Sequence, residues 1–197
     1  MKQTPATLAL FAALLGGAIR SATAATTAPE QLRDLVTRQV AAEYPSLLGI
    51  YTNLHAHPEL SFMEVKTAAL VAGELRQLGF TVTEQVGRTG VVGVLTNGPG
   101  RTVLVRGDMD GLPIKENSGV SYASTQIVKD HTNKDQPAMH GCAHDTHVTT
   151  LIGTARLLVA MKDQWSGTLV FVAQPAEEIV AGARAMIDDG LYERFPK

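Results

Sequence analysis

The sequence lacks several features that would point to common protein classes. It has one cysteine, Cys142, in 197 residues, so it cannot form an intramolecular disulfide. Its formal net charge is −2 and it has no cluster of basic residues, so nothing electrostatic favours binding to nucleic acid. The H-E-x-x-H, G-x-S-x-G and Walker A patterns are absent, which removes the hydrolases and nucleotide-binding proteins that carry them. What remains is 45% hydrophobic and 18% charged residues, a composition typical of one globular domain.

The first 24 residues resemble a secretory signal peptide. Lys2 provides a positive charge, residues 8–19 form an uncharged apolar run, and residues 22–24 give the small-x-small pattern that signal peptidase accepts. The run is shorter than the about 20 apolar residues that a transmembrane helix needs, so we expect no stable membrane span. An uncleaved anchor and a hydrophobic first helix are the alternatives. The pattern predicts cleavage after Ala24 and export of the mature chain to the periplasm or the extracellular medium.

The rest of the chain alternates between helical and strand-like patterns. Pro45 is expected to break the first helical stretch, and a capping box from Ser61 to Glu64 to start the next helix. Helices are predicted at residues 29–44, 47–53, 65–78, 146–161 and 181–189, and strands at residues 80–86, 91–95, 102–105 and 168–173. Residues 91–95 and 102–105 are expected to form a hairpin, and residues 118–138 a long surface loop. This alternation predicts an α/β layer fold with an at least partly parallel sheet.

Two acidic motifs directly follow predicted strands. Asp108 and Asp110 stand one residue apart after the third predicted strand, and Glu177 and Glu178 are adjacent after the last one. Ligands of open α/β sheets bind beyond the carboxyl ends of the strands, so both motifs are candidates for one crevice. Adjacent glutamates are costly to bury unless they are paired or bound to a cation. The plainer alternatives are an acidic turn for the first motif and a solvated start of a helix for the second.

A third motif, residues 139–147, concentrates metal-binding side chains in one short segment. It holds three histidines, one cysteine and one aspartate, and thiolate and imidazole are donors that Zn²⁺ favours. Cys142 and His144 stand two residues apart, so both can point to one side of an extended loop, and Asp145 can orient a neighbouring imidazole. An inert buried thiol and structural histidines are the alternatives. We expect all three motifs to lie just past strands and to converge on one edge of the sheet.

Together these motifs resemble the M20 family of metallopeptidases, in the branch of the hippurate and IAA-amino acid hydrolases. Residues 106–116, 140–147 and 174–183 are similar to its three signature segments, and residues 55–62 to its opening segment. The resemblance implies a three-layer α/β catalytic domain whose mostly parallel mixed sheet is flanked by helices, with an inserted lid or dimerisation domain. Residues 25–197 would then be the N-terminal part of that catalytic domain, incomplete at the C-terminus and without the lid.

The resemblance also implies roles for individual residues, as metal ligands, as catalytic carboxylates and as supports for the ligands. The implied metal ligands are Cys142, His144 and Glu178. The implied catalytic carboxylates are Glu177, as the general base, and Asp110, which supports the site from behind. The implied supporting residues are Asp108, Asp145 and His147. The expected cofactor is Zn²⁺, or Mn²⁺ or Co²⁺ in its place, with one or two ions bound.

The implied activity is hydrolysis of amide bonds in N-acyl amino acids or small peptides, by a metal-activated water and the Glu177 base. The expected partner is therefore a small-molecule substrate, and the resemblance allows a homodimer of a full-length form. Ala143 replaces a usual glycine, residues 179–181 replace a glycine-rich stretch, and the family's remaining histidine ligands are expected beyond Lys197. Two alternatives are a truncated, non-catalytic metal-binding remnant of such an enzyme and an exported metal-binding protein unrelated to hydrolysis.

Overall fold

A computed structural model describes residues 29–197, so the predicted signal peptide lies outside the described residues. The helices are α1 Pro29–Ala56, α2 Val65–Gln77, α3 His144–Ala160, α4 Gly182–Asp188 and α5 Leu191–Arg194. The strands are β1 Thr81–Val86, β2 Gly90–Asn97, β3 Thr102–Asp108, β4 Ile127–Lys129, β5 Asp135–Pro137 and β6 Gly167–Gln174. Within the described part of the chain, no helix is both long enough and apolar enough to cross a membrane.

Four strands form the main sheet in the order β1-β2-β6-β3. β2 runs antiparallel to both β1 and β6, whereas β3 runs parallel to β6, so one of the three pairings in the described sheet is parallel and the parallel share is smaller than predicted. The predicted hairpin between residues 91–95 and 102–105 is wrong, because β6 lies between these segments. β6 is a nearly continuous buried run, and such a strand is stable when neighbours pair with both of its edges.

Helices cover the sheet on both sides, which confirms the predicted α/β layer fold with a helix-flanked sheet. On one side, α1, α2 and α3 pack around Phe171, which is fully buried. On the other side, α4 and α5 contribute Met186 and Leu191 to a smaller core with Val170 and Val172. Alternate residues of β6 therefore enter the two cores, as the two-residue period of a strand requires.

α1 runs through Pro45 without interruption, so the predicted break there is wrong. A proline inside a helix removes one backbone hydrogen bond and costs about 3 kcal/mol. The part of α1 that follows Pro45 packs against α3 and places Leu47, Ile50 and Leu54 in or against the larger core. This apolar burial offsets the local cost of the proline.

The start of α2 also differs from its prediction. The helix begins at Val65, and Ser61 and Glu64 do not form the expected capping box. The Glu59 carboxylate instead accepts hydrogen bonds from backbone N–H groups in the first turn of α2. The Ser61 hydroxyl donates to Asp110 at 2.6 Å, so the residue that matched the capping pattern belongs to a different network.

Residues 118–138 are not the plain loop that the sequence predicts. They contain β4 and β5, which pair as a small antiparallel hairpin outside the main sheet. Asp130 shapes the turn between these strands, because its carboxylate accepts hydrogen bonds from the backbone N–H groups of Thr132 and Lys134. Aspartate commonly forms such turns, so the composition of this turn carried a signal for the hairpin.

Candidate metal centre

The first and second acidic motifs meet at one edge of the main sheet, as predicted. β3 and β6 run parallel, and their last residues, Asp108 and Gln174, are paired with each other. Asp110 follows the end of β3, and Glu177 and Glu178 follow the end of β6. Because the carboxyl ends of parallel strands lie at the same edge of a sheet, these four acidic side chains are brought into one region.

The histidine-rich motif reaches the same edge by a different route. The prediction that it follows a strand of the main sheet is wrong, because it forms the loop before α3 and the first turn of that helix. Ala143 has a left-handed backbone with a φ of 63°, and His144 is the first residue of α3. A β-carbon at Gly107 would lie 3.3 Å from the backbone oxygen of His147. The glycine therefore allows α3 to approach the end of β3 and to bring its histidines to the acidic motifs.

Asp110 connects the motifs from beneath. Its buried carboxylate accepts hydrogen bonds from the Ser61 hydroxyl at 2.6 Å and from the backbone N–H groups of Glu177 and Glu178 at 2.9 and 3.1 Å. Its backbone oxygen accepts a hydrogen bond from Nδ1 of His144 at 2.7 Å. Burial acts to raise the pKa of Asp110, but the hydrogen bonds from these groups outweigh it and lower the pKa. One ionised carboxylate thus holds both glutamates in place.

Nε2 of His144 faces three carboxylates and makes no short hydrogen bond to them. It lies 3.5 Å from Asp108, 3.7 Å from Glu177 and 3.9 Å from Glu178. Two sets of possible ligand atoms lie within 4.8 Å of one another: Asp108 with His144 and His147, and His144 with Glu177 and Glu178. These five residues are called the donor cluster below. An imidazole nitrogen that faces several carboxylate oxygens provides the donor types that divalent ions such as Zn²⁺ bind.

Two further observations fit a cation at the donor cluster. Oε1 of Glu178 is buried and has no hydrogen-bond partner among residues 29–197, which is costly for a carboxylate that binds no cation. Burial acts to lower the pKa of His144, but its hydrogen bond with Asp110 and the charges of Asp108 and Asp110 raise the pKa to about 9. The site thus favours a positive charge on the ring, and a bound metal ion would replace that proton because a ligating imidazole is neutral.

Asp108 and His147, which were expected to support the ligands, lie in the donor cluster itself. Nδ1 of His147 is 2.5 Å from one oxygen of Asp108, and the His147 ring stacks on that of His144 with a centroid distance of 5.5 Å. Arg106 contacts the other oxygen of Asp108 at 2.7 Å and donates two hydrogen bonds to Gln174. Asp108 is therefore oriented from both sides at the joined ends of β3 and β6.

Cys142 lies beside the donor cluster but outside both sets of possible ligand atoms. The residue is exposed, and its thiol forms a hydrogen bond with Glu178. This hydrogen bond, slight burial and the negative charges of Glu178, Glu177 and Asp108 raise the pKa of the thiol. The role of Cys142 as a ligand stays a prediction, and metal binding there would first have to remove the thiol proton.

Asp145 contacts a histidine that is not part of the donor cluster. One of its oxygens lies 2.6 Å from Nδ1 of His55, and Nε2 of His55 lies 3.0 Å from the carboxylate of Glu116. All three side chains are buried, and the rings of Tyr51 and Tyr122 pack against the imidazole. His55, Glu116 and Asp145 are called the buried network below. His55 and Glu116 both lie in segments that resemble the family, but the motifs alone predicted no role for either residue.

His140 is another residue that sequence reasoning left without a role. It is buried, and neither of its ring nitrogens has a hydrogen-bond partner among residues 29–197. Burial lowers the pKa of His140 to about 4, against the charge of Asp145, which acts to raise it. The ring is therefore neutral at pH 7. The density of histidines in residues 139–147 pointed to this segment, but only the fold distinguishes the buried ring from those in the donor cluster.

Comparison with a known family agrees with this arrangement. Residues 104–197 match the model of Peptidase family M20/M25/M40, and this segment contains every residue of the donor cluster. The resemblance predicted from the motifs is therefore confirmed.

Individual relatives extend the similarity beyond that segment. Hippurate hydrolase of Campylobacter jejuni is 43% identical over 143 residues, which cover 72% of this chain and 34% of that protein. Thermostable carboxypeptidase 2 of Saccharolobus solfataricus is 45% identical over 149 residues, which cover 74% of this chain and 36% of that protein. The chain thus spans about a third of the length of these curated relatives. The solved Bacillus subtilis YXEP protein, described as a dinuclear metal binding peptidase from the M20 family, has a TM-score of 0.65 and 34% identity and covers 81% of this chain and 40% of its own.

Proposed function

We propose that this chain binds a divalent metal ion and contributes metal ligands and a general base to a hydrolase for amide bonds in N-acyl amino acids or small peptides. The observation that carries the proposal is the donor cluster, where Nε2 of His144 faces three carboxylates and Oε1 of Glu178 is buried without a partner among residues 29–197. The substrate class is supported by the names of relatives, which include hippurate hydrolase, a carboxypeptidase and an IAA-amino acid hydrolase.

The proposed ligands are His144 and Glu178, with Cys142 as a further donor beside Glu178. Imidazole, carboxylate and thiolate suit Zn²⁺, and Mn²⁺ or Co²⁺ can take the same site because affinity alone does not decide which ion is loaded. Both sets of donor atoms use the His144 ring, and one ring nitrogen binds one ion. The described donors therefore support one ion at His144, and a second ion would need its own set.

Glu177 is the proposed general base, because it is the more accessible of the two adjacent glutamates. Its side chain is 43% exposed, whereas that of Glu178 is 12% exposed. A divalent ion bound beside them supplies the Lewis acid that polarises an amide carbonyl and acidifies water. Glu177 accepts the proton of the attacking water and delivers it to the leaving nitrogen. The Asp110 carboxylate accepts hydrogen bonds from the backbone N–H groups of both glutamates and so fixes their positions for these separate tasks.

Metal loading followed by a hydrolysis assay tests the proposal. The purified chain is stripped of metal and titrated with Zn²⁺, Mn²⁺ or Co²⁺, and hydrolysis of hippurate is then measured for the loaded protein. We expect Glu177→Gln to keep the ion and to lose any turnover, and Glu178→Gln to lose affinity for the ion as well. A wild-type chain that binds none of the three ions would contradict the proposal.

A metal-binding protein without turnover is the second candidate function. The observation that favours it is the donor cluster itself, whose residues account for ion binding without any substrate. The same assay separates the two candidates, because this one requires ion binding by His144 and Glu178 without hydrolysis by the chain.

The resemblance also allows a homodimer of a longer form of the protein. Light scattering of that longer form measures its oligomeric state and tests this expectation.

Action outside the cytoplasm is a separate proposal that rests on residues 1–24. Their charged start, apolar run and small-x-small ending are typical of a cleaved signal peptide. N-terminal sequencing of the exported protein should find a mature chain that begins at Ala25. An intact Met1 in a soluble cytoplasmic fraction would contradict this proposal.

A further inference from the structure

Glu64 is a buried carboxylate for which the proposed site has so far given no role. Glu64 directly precedes α2, and its side chain is completely buried. No Lys or Arg of residues 29–197 forms an ion pair with it. Burial raises the pKa of Glu64, although hydrogen bonds from Thr89 and Ala176 act to lower it. A buried carboxylate without a cation is costly unless its oxygens accept hydrogen bonds, so the groups that donate to Glu64 determine its role.

Three hydrogen bonds occupy this carboxylate. Oε1 accepts the backbone N–H groups of Phe62 at 2.9 Å and Ala176 at 2.8 Å, and Oε2 accepts the Thr89 hydroxyl at 2.5 Å. Ala176 is 112 residues away along the chain and directly precedes the two glutamates of the donor cluster. Glu64 therefore ties the start of α2 to the turn that follows β6.

The turn that carries the two glutamates has an unusual backbone. Ala176 and Val180 have φ values of 46° and 53°, in the left-handed region that costs a non-glycine residue about 1–2 kcal/mol. Three successive N–H groups, those of residues 176, 177 and 178, all donate to buried carboxylates. Glu64 accepts the first, and Asp110 accepts the other two. Side chains from two distant segments thus determine the path of this turn.

We propose that Glu64 is a positioning residue for the donor cluster, which sets the direction of Glu177 and Glu178 by holding the N–H group of Ala176. The inference rests on the proposed function, because the direction of the two carboxylates matters only if they bind an ion and act on a substrate. Asp110 holds the N–H groups of the glutamates themselves, whereas Glu64 holds the residue before them. Both carboxylates are needed to fix the turn at each of its first three residues.

Substitutions at Glu64 and at one control position separate positioning from general stability. Glu64→Leu introduces an apolar side chain of similar volume and removes the acceptor, whereas Glu64→Gln keeps an oxygen that can accept the N–H of Ala176. Glu64→Asp withdraws the carboxylate by one methylene and serves if the leucine variant does not fold. Glu59→Gln is the matched control, because it weakens a carboxylate contact to the first turn of α2 and does not touch residues 176–178.

Hydrogen exchange of the metal-free protein measures how firmly the backbone of the turn is held. In Glu64→Leu and Glu64→Asp, the amides of residues 176–178 should exchange about tenfold faster or more, because the turn opens locally. In Glu64→Gln they should stay close to wild type, and Glu59→Gln should affect only the start of α2. Unchanged protection of residues 176–178 in both acceptor-deficient variants would overturn the proposal.

Zn²⁺ affinity then shows whether the turn directs the ligands. Loss of an outer contact that orients a ligand typically lowers metal affinity by about 10–100-fold, which we expect for Glu64→Leu and Glu64→Asp and not for Glu64→Gln or Glu59→Gln. Lost protection together with unchanged affinity would also overturn the proposal. A wild-type chain without affinity for Zn²⁺ would contradict the proposed function instead, and the exchange experiment would still decide whether Glu64 holds the turn.

Discussion

Two buried histidines, one near the end of α1 and one at the start of α3, share the same kinds of neighbours but differ in how they use them. His55 engages both ring nitrogens, at 2.6 Å from Asp145 and 3.0 Å from Glu116. His144 engages only Nδ1, which donates to the backbone oxygen of Asp110, and its Nε2 faces carboxylates at 3.5 to 3.9 Å. The first ring is saturated by its partners, whereas the second has one nitrogen left for a ligand.

This difference separates a structural ion pair from a candidate metal site. In the buried network, one imidazole already bridges two carboxylates, so an ion would have to displace existing hydrogen bonds. In the donor cluster, three carboxylates face one ring and Oε1 of Glu178 has no partner among the described residues, so an ion would add contacts. We therefore expect substitutions in the buried network to change stability, and substitutions in the donor cluster to change ion binding.

The largest expected effect is on stability, in the buried network. His55→Leu leaves the buried carboxylates of Asp145 and Glu116 without their shared partner, and breaking such a buried pair typically costs about 3–5 kcal/mol. Chemical denaturation of the metal-free protein measures this change in the free energy of unfolding. His57→Leu is the matched control, because that histidine is exposed and its ring hydrogen-bonds to the backbone oxygen of Asn53, with no carboxylate partner. Equal stabilities for the two variants would remove the distinction between the histidines.

The next effect is on ion binding, in the donor cluster. His144→Gln removes the ring nitrogen that faces the three carboxylates, and we expect Zn²⁺ affinity to fall by about 100-fold or more, equivalent to about 2.7 kcal/mol. Isothermal titration of the folded variant measures the loss. His55→Gln serves as the control and should bind Zn²⁺ as wild type does at a temperature where it is folded. If the two variants lose affinity equally, the ion does not depend on the geometry at His144.

A smaller effect is the pH dependence of the buried network. Burial acts to lower the pKa of His55, but hydrogen bonds with Glu116 and Asp145 outweigh it and raise the pKa. Protonation therefore stabilises the folded state, fully below the unfolded pKa of about 6.5 and progressively less as pH rises through the folded pKa.

The difference in the free energy of unfolding between wild type and His55→Leu should therefore be largest at about pH 6, just below the unfolded pKa of histidine. It should decrease as the pH rises through the folded pKa of His55. Denaturation of both proteins at a series of pH values measures it. His144 titrates in both proteins, so its contribution cancels in the difference. A difference that increases with pH would show that the neutral ring, not the charged one, stabilises the network.

The smallest expected effect concerns strain at the rim of the donor cluster. Val180 is 92% exposed and has a φ of 53°, which is unfavourable for a β-branched residue. Val180→Gly relieves this strain and should raise stability by up to about 1 kcal/mol, since glycine adopts the left-handed region freely but loses more entropy on folding. Val65→Gly, at an exposed helical position with ordinary backbone, should lower stability in the same thermal unfolding experiment. A lower melting temperature for Val180→Gly would show that the turn is not strained.

Local patterns predicted the elements of this fold better than their partners. The apolar run of β6 marks a buried strand, but its position between β2 and β3 depends on pairings across more than 60 residues. Pro45 marks a local weakness of α1, and the packing of α1 on α3 decides that the helix continues. Ser61 and Glu64 match a capping box in sequence, yet each is used by a distant partner, Asp110 or Ala176.

The candidate site was predictable to the extent that motifs at strand ends converge. Asp110, Glu177 and Glu178 could be brought together in advance, because a partly parallel sheet places the ends of its strands at one edge. The roles of Asp145 and His55 could not, since which imidazole an aspartate contacts depends on the crossing of α1 and α3. Motif density identifies the region of a site, and packing decides which side chains face it.

The presence of an ion at the donor cluster can be observed directly by anomalous diffraction at the zinc absorption edge, from crystals of the Zn²⁺-loaded protein. We expect a peak at about 2.0–2.2 Å from Nε2 of His144 and from a carboxylate oxygen of Glu178. The buried network should show no peak, because both nitrogens of His55 are already bonded. A fully loaded crystal with no peak at His144, or with its only peak at His55 or His140, would contradict the assignment of the donor cluster as the metal site.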